Sequence, residues 1–142
     1  KKLHVKASGC PNGCGRHHLA NIGFQGASIK GPGGNQIPAF EVYLGGAYDG
    51  GVLQYGQRVK AKVPSKHVPA AVRRLLDYYQ DQRTPGEEFN DFVQRTGTDA
   101  FEAILAEFRE VGPLGKDTLD FYMDWGKTVL YKLERGEGEC AV

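Results

Sequence analysis

The chain is poor in sulfur and in long apolar runs. Its 142 residues hold three cysteines, one methionine and one tryptophan. An odd cysteine count does not make a fully paired disulfide scaffold, and it points to a reducing, cytosolic setting. No hydrophobic stretch approaches membrane-spanning length, and Lys1-Lys2-Leu3-His4 lacks the core of a signal peptide, so no membrane partner is expected. An initiating methionine is also missing. Together with a strand-like opening at the first residues, this makes the chain look like a piece of a longer polypeptide. No internal repeat is present. The glycine-rich segment 30–35 is not followed by the Lys-Ser/Thr of a phosphate loop, so it reads as a turn between strands.

Acidic residues are scarce in one half only. Residues 1–74 carry eleven Lys and Arg against Glu41 and Asp49, a balance of +9, whereas residues 75–142 carry seven against fifteen acids, a balance of −8. The whole nevertheless sums to +1. A basic half of this kind suits a polyanion or an acidic partner: nucleic acid, a polycarboxylate cofactor or an acidic protein. With 40% hydrophobic and 25% charged residues, the composition is that of one globular domain spanning residues 1–142.

The periodicities predict an α+β fold. Leu3, Val5 and Ala7 alternate with polar residues as in a half-buried strand, and residues 22–29, 37–44 and 58–63 read as three more strands. Arg58, Lys60 and Lys62 share one face of the last, as in an edge strand protected by its cations. From Ser65 the period changes to helical. Ser65, Thr84 and Thr98 are candidate caps for three helices, with Leu75, Phe92, Phe101 and Leu105 among the inward residues. Residues 117–125 are expected to form a short helical or irregular closing segment, and 134–142 a flexible tail. The resulting expectation is a small mixed or antiparallel sheet in the N-terminal half, with helices packed on one face and a helical C-terminal half.

The chemistry concentrates in Ser8-Gly9-Cys10-Pro11-Asn12-Gly13-Cys14-Gly15-Arg16-His17-His18. Two cysteines in a glycine-rich turn can present two thiolates to one soft metal centre, and glycine lets backbone N–H groups crowd around the sulfurs. A short helix over residues 15–21 would add the positive end of its dipole. Adjacent histidines on a helix diverge, and the gap from Cys14 to His17 is too short for a zinc finger, so a zinc site at Cys10, Cys14, His17 and His18 ranks low. His4 and His67 have no evident partners and are read as structural.

The whole string, with Asn21-Ile22-Gly23-Phe24 after it, resembles the second cysteine pair of the sirohaem-dependent sulfite and nitrite reductases. The similarity continues through Glu41-Val42-Tyr43-Leu44-Gly45-Gly46, Phe121-Tyr122-Met123-Asp124-Trp125-Gly126 and Gly138-Glu139-Cys140-Ala141. The resemblance implies a [4Fe–4S] cluster and sirohaem, with Cys10 a cluster ligand, Cys14 a ligand bridging the cluster to the sirohaem iron, and Asn12 a contact to the macrocycle. It further implies two more cluster cysteines, and the cations that grip sulfite or nitrite, in an upstream half of the same polypeptide. On that reading the chain is the C-terminal part of a cytoplasmic oxidoreductase that performs a six-electron reduction of sulfite or nitrite. It would receive electrons from ferredoxin or a flavoprotein and be inactive alone. His17-His18 inclines the choice to sulfite. In the family the residue at Asn21 is usually acidic, and Asn keeps only the hydrogen-bonding carbonyl of that group. The competing reading is a non-catalytic basic binding module with a structural metal at Cys10/Cys14; nucleic acid ranks below the reductase partners.

Overall fold

A computed structural model describes residues 2–133. The expectations for the tail 134–142 and for Cys140 fall outside the described residues. Four strands, β1 (Val5–Ser8), β2 (Ile22–Lys30), β3 (Gln36–Leu44) and β4 (Gln57–Pro64), form one sheet in the order β1-β2-β3-β4. β1 runs parallel to β2, while β2, β3 and β4 are successively antiparallel. Three helices follow: α1 (Val68–Gln82), α2 (Phe89–Thr96) and α3 (Thr98–Ala106). The α+β expectation is therefore met, with a mixed sheet.

The register explains the two faces of the sheet. Ile22 lies opposite Leu44 and Phe24 opposite Val42, and Val42 in turn opposes Val59. These residues and Val63 form a fully buried apolar face. Against it pack Ala71, Leu75 and Tyr79 of α1, Phe89, Phe92 and Val93 of α2, and Phe101, Ile104 and Leu105 of α3. Phe92 meets Tyr78, Tyr79 and Phe101 with ring centroids 5.4 to 5.8 Å apart, within the range in which aromatic pairs add to simple burial. A second cluster, Ile37, Val111 and Tyr122, joins the closing segment to the β2–β3 hairpin. The Tyr122 hydroxyl donates to the Gly112 carbonyl at 2.7 Å, which satisfies its one buried polar atom.

The helix boundaries depart from the sequence expectation where capping chemistry is used differently. A 3-10 turn over Ser65–His67 precedes α1, and the Ser65 hydroxyl is buried without a partner rather than capping the helix. Half of the Thr84 capping box forms, since the Thr84 N–H donates to Glu87 Oε1 at 3.1 Å, but this closes a turn and α2 starts only at Phe89. Thr98 is the first residue of α3, and the cap position is Gly97. α3 stops at Ala106, well before Gly112-Pro113, and the closing segment contains only the 3-10 turn Leu119–Tyr122.

The α1–α2 junction carries a pH-sensitive contact. Arg95 holds Glu87 through two bonds, Nε to Oε2 at 2.8 Å and Nη2 to Oε1 at 2.9 Å, and also donates to the Gln82 carbonyl. The Arg95 hydrogen bonds draw the Glu87 carboxyl down to about 2 from its ordinary 4.5. A depressed carboxyl stabilises the fold above its unfolded pKa and loses that contribution as pH falls from about 4.5 toward 2. Arg95→Ala should therefore lower the thermal midpoint most near neutral pH, with the gap to wild type closing as pH approaches 2. Melting curves across that window check it.

Candidate iron–sulfur site

The cysteine pair sits on a chain of tight turns that runs from Gly9, seated against Gly26, to His17, seated against Gly23, two glycines that present opposite faces of β2. Backbone bonds run from Gly13 N–H to the Cys10 carbonyl (3.4 Å), from Arg16 N–H to the Gly13 carbonyl (2.8 Å) and from Leu19 N–H to the Arg16 carbonyl (3.0 Å). Gly13 has φ 72°, and Arg16, at φ 58°, is the one non-glycine in that region among the described residues. A left-handed Arg costs on the order of 1 kcal/mol. Its guanidinium lies over the Tyr48 ring, 5.2 Å from the centroid.

The helix expected over residues 15–21 is only the 3-10 turn His17–Leu19. The left-handed Arg16 interrupts any longer helix, so the proposed help from a helix dipole falls away. The expected crowd of free N–H groups is also smaller than the glycines suggest. Those of Gly13 and Arg16 go to backbone carbonyls and that of Gly15 to Ser8 Oγ at 3.0 Å.

The loop can lie so close because β2 has glycine beneath it. A Cβ at Gly23 would run into the His17 carbonyl, and one at Gly26 into the Gly9 carbonyl. Both obstacles are backbone and cannot rotate away. Asn21 sets the loop's end through its side chain. The His4 N–H donates to Oδ1 at 2.8 Å, and Nδ2 donates to Asn90 Oδ1 at 2.9 Å, while Asn90 Nδ2 reaches the Gly46 carbonyl at 3.1 Å. The amide thus works as donor and acceptor at once. A carboxylate there has no proton for Asn90, so Asn21→Asp should cost about 1–2 kcal/mol. Urea unfolding of the variant reads this loss; an unchanged midpoint would mean Asn90 simply flips its amide.

Cys10 is half-buried and Cys14 exposed, and both are free thiols. Cys10 borders a cleft of about 500 Å³ that also touches Gly26, Phe40, Lys62, Ser65 and Tyr131. Asn12, between the cysteines, lies at an exposed position. Among the described residues no three His, Cys, Asp or Glu side chains gather as a metal site.

His17 is fully buried, with Nδ1 2.8 Å from Ser8 Oγ, and its ring stacks against His18 (centroids 3.8 Å) and Tyr43 (5.0 Å). Burial, and next the neighbouring His18, push the His17 pKa below its ordinary value; Gln25 and Glu41 offset part of that. The ring is accordingly neutral near pH 7. Burial also raises the Tyr43 phenol, which stays protonated and donates to Gln25 Oε1 at 3.2 Å.

The basic strand is largely engaged by its own fold. β4 is a sheet edge, as expected of a strand carrying alternating cations. Arg58 pairs with Glu41 at 2.9 Å, Lys62 Nζ donates to the Ser28 carbonyl at 3.3 Å, and the Lys60 N–H is taken by Glu102 of α3 at 3.0 Å. The sequence reading assigned His17 no contact of its own; its burial goes with that of Ser8, which β1 places opposite Gln25.

Comparison with known proteins shows the family. The profile of the nitrite and sulphite reductase 4Fe-4S domain matches residues 1–110. The sulfite reductase (NADPH) hemoprotein beta-component of Anoxybacillus flavithermus is 36% identical over 97 residues, covering 68% of this chain and 15% of the relative. That of a Methylobacterium species is 39% identical over 113 residues, covering 79% and 17%. The structure of Mycobacterium tuberculosis NirA protein superposes with a TM-score of 0.66 at 31% identity, over 71% of this chain and 18% of that one. The chain thus spans less than a fifth of the relatives it matches. It belongs to the nitrite and sulphite reductase 4Fe-4S domain family.

Proposed function

We propose that this chain is the half of a sulfite or nitrite reductase that supplies the second cysteine pair to a [4Fe–4S] cluster and binds one face of sirohaem. The carrying observation is the pair itself: two free thiols on consecutive tight turns, one half-buried and one exposed, in a loop whose ends are seated against Gly26 and Gly23. The donor set fits the group. Soft thiolates suit iron–sulfur clusters, and a buried, unpartnered His17 Nε2 lies in the same layer. When bound, the metal centres supply the electron-transfer chemistry, and the protein contributes placement, hydrogen bonding and exclusion of water.

The roles follow from exposure. Cys10, half-buried beside its cleft, is a cluster ligand; Cys14, open to solvent, can meet a second group as well and is the bridging ligand. Asn12 stands between them and contacts the macrocycle. The two remaining cluster ligands and the oxyanion-binding cations belong to an upstream part of the polypeptide, so residues 1–142 form one domain of the enzyme that is inactive alone. Location in the cytoplasm, an electron donor of the ferredoxin or flavoprotein class, and sulfite in preference to nitrite belong to the same proposal. Among the described residues no helix is long and apolar enough to cross a membrane.

A visible spectrum with an iron assay of the protein carrying its upstream region tests this. Haem-type and cluster absorbance that responds to added sulfite supports it. A colourless protein with stoichiometric zinc overturns it in favour of a binding module with a structural metal.

A further inference from the structure

We infer that His17 is a positioning residue for Cys14, acting directly beneath Gly13 on one side of the cysteine and through Ser8 on Gly15 on the other. The inference rests on the reductase reading for its purpose, and on the geometry of the loop for its evidence.

Cys14 has glycine on either side. On one side, the Gly15 N–H donates to Ser8 Oγ at 3.0 Å, and that oxygen lies 2.8 Å from His17 Nδ1. On the other, the direction a Gly13 Cβ would take leads to His18 Nδ1 at 3.6 Å and His17 Cε1 at 3.7 Å. The imidazole is therefore a floor under Gly13 and, through one hydroxyl, a clamp on Gly15. The floor cannot easily shift: it is fully buried, stacked on His18 and Tyr43, and its own carbonyl presses on Gly23.

Proton accounting selects the tautomer. If Nδ1–H donated to Ser8, the hydroxyl oxygen would accept twice and its own proton would need an acceptor, and Nε2 would be an unmet acceptor as well. If instead the Ser8 hydroxyl donates to Nδ1 and accepts from Gly15, every polar site of Ser8 is used. A single group is then left over, the Nε2–H of His17, which is buried with no hydrogen-bond partner. Leaving two buried groups unmet is worse than leaving one, so the second arrangement holds. It gives a neutral ring with its proton on Nε2, on a residue whose environment includes Gln25. Groups that hold a ligand's backbone in this way orient the ligand and tune the centre it binds.

The test reads the loop before it reads any metal. In the iron-free protein, His17→Ala should raise deuterium uptake of a peptide covering residues 9–19 and speed alkylation of Cys14 by roughly two- to tenfold, the value of one hydrogen bond. Exchange in β2 and β3 should stay unchanged. Ser8→Ala, which removes the Gly15 clamp and leaves the floor under Gly13, should give a smaller rise, and the double variant should fall short of the sum of the two because they share the Gly15 relay. His17→Asn, whose amide can replace Nδ1, should restore slow exchange and keeps the test decisive if His17→Ala does not fold. Unaltered loop exchange and Cys14 reactivity in a folded variant, or an equal rise for Cys10, Cys14 and the sheet, would overturn the relay. In iron-loaded protein, His17→Ala should shift the cluster's midpoint potential with iron content retained. A potential that stays at the wild-type value overturns the link to the metal site, whereas absence of iron from wild type sinks the reductase reading and leaves the loop result standing.

Discussion

Gly23→Ala is expected to destabilise the fold by about 3 kcal/mol or more, at the upper end of what overpacking a close contact costs. The methyl group would enter the space of the His17 carbonyl, which is backbone and belongs to a turn already constrained by the Leu19 to Arg16 bond. Relief requires the 3-10 turn to lift from β2, and that would uncover the buried His17 ring. Gly26→Ala should behave alike, because its obstacle is the Gly9 carbonyl at the other end of the same loop. Gly9 provides the control: nothing lies within 4 Å of a Cβ there, and its φ is not in the left-handed region. Gly9→Ala should change stability by less than about 0.5 kcal/mol, as surface substitutions do. Urea unfolding of the three variants separates the cases. Equal midpoints for Gly23→Ala and Gly9→Ala would mean that the turn is not seated on the sheet.

The second large effect concerns chemistry rather than folding. Cys14→Ser in the protein with its upstream region should lower sulfite or nitrite reduction by more than about 100-fold, beyond the range reached by changes in outer-shell groups alone. A serine hydroxyl keeps its proton at neutral pH and is a hard, weak ligand for a soft centre, so the anionic bridge proposed for Cys14 would be lost. Stability should hardly change, since Cys14 is exposed and the turn is held by Gly13, Gly15 and His17. Steady-state assay with a chemical electron donor checks the first part and thermal melting the second. A folded Cys14→Ser enzyme with wild-type turnover would remove Cys14 from the site.

What the sequence made legible follows from how local each signal is. The four strands were readable because alternation of apolar residues depends only on neighbours two apart, and three of the four strands have both ends within about one residue of that pattern. Inward residues of the helices were readable for the same reason. Caps were not, since Ser65 and Thr84 had acceptable alternatives that only tertiary contacts decide: a buried position beside the cleft for one, a closed turn with Glu87 for the other. The helix over 15–21 failed on a single dihedral, the left-handed Arg16, which no propensity announces.

The cysteine pair was legible as a motif, but its mounting was not. Nothing in the spacing reveals that Gly23 and Gly26, on a different element, make room for the loop, or that Ser8 links His17 to the amide of Gly15. Both are long-range consequences of pairing β1 in parallel with β2, which sets Ser8 opposite Gln25 and brings the loop back over its own strand. The charge segregation was readable and its use was not. In the fold, Arg58 and Lys62 serve Glu41 and a carbonyl of β2 before any partner arrives.

The central claim is that Cys10 and Cys14 are ligands of an iron–sulfur cluster. The most direct measurement is iron and acid-labile sulfide per polypeptide for Cys10→Ala, Cys14→Ala and Cys140→Ala, each made in the protein with its upstream region. The account predicts that the first two lose cluster iron and sulfide while the third retains both. Full retention in Cys10→Ala and Cys14→Ala, or a loss confined to Cys140→Ala, would contradict it.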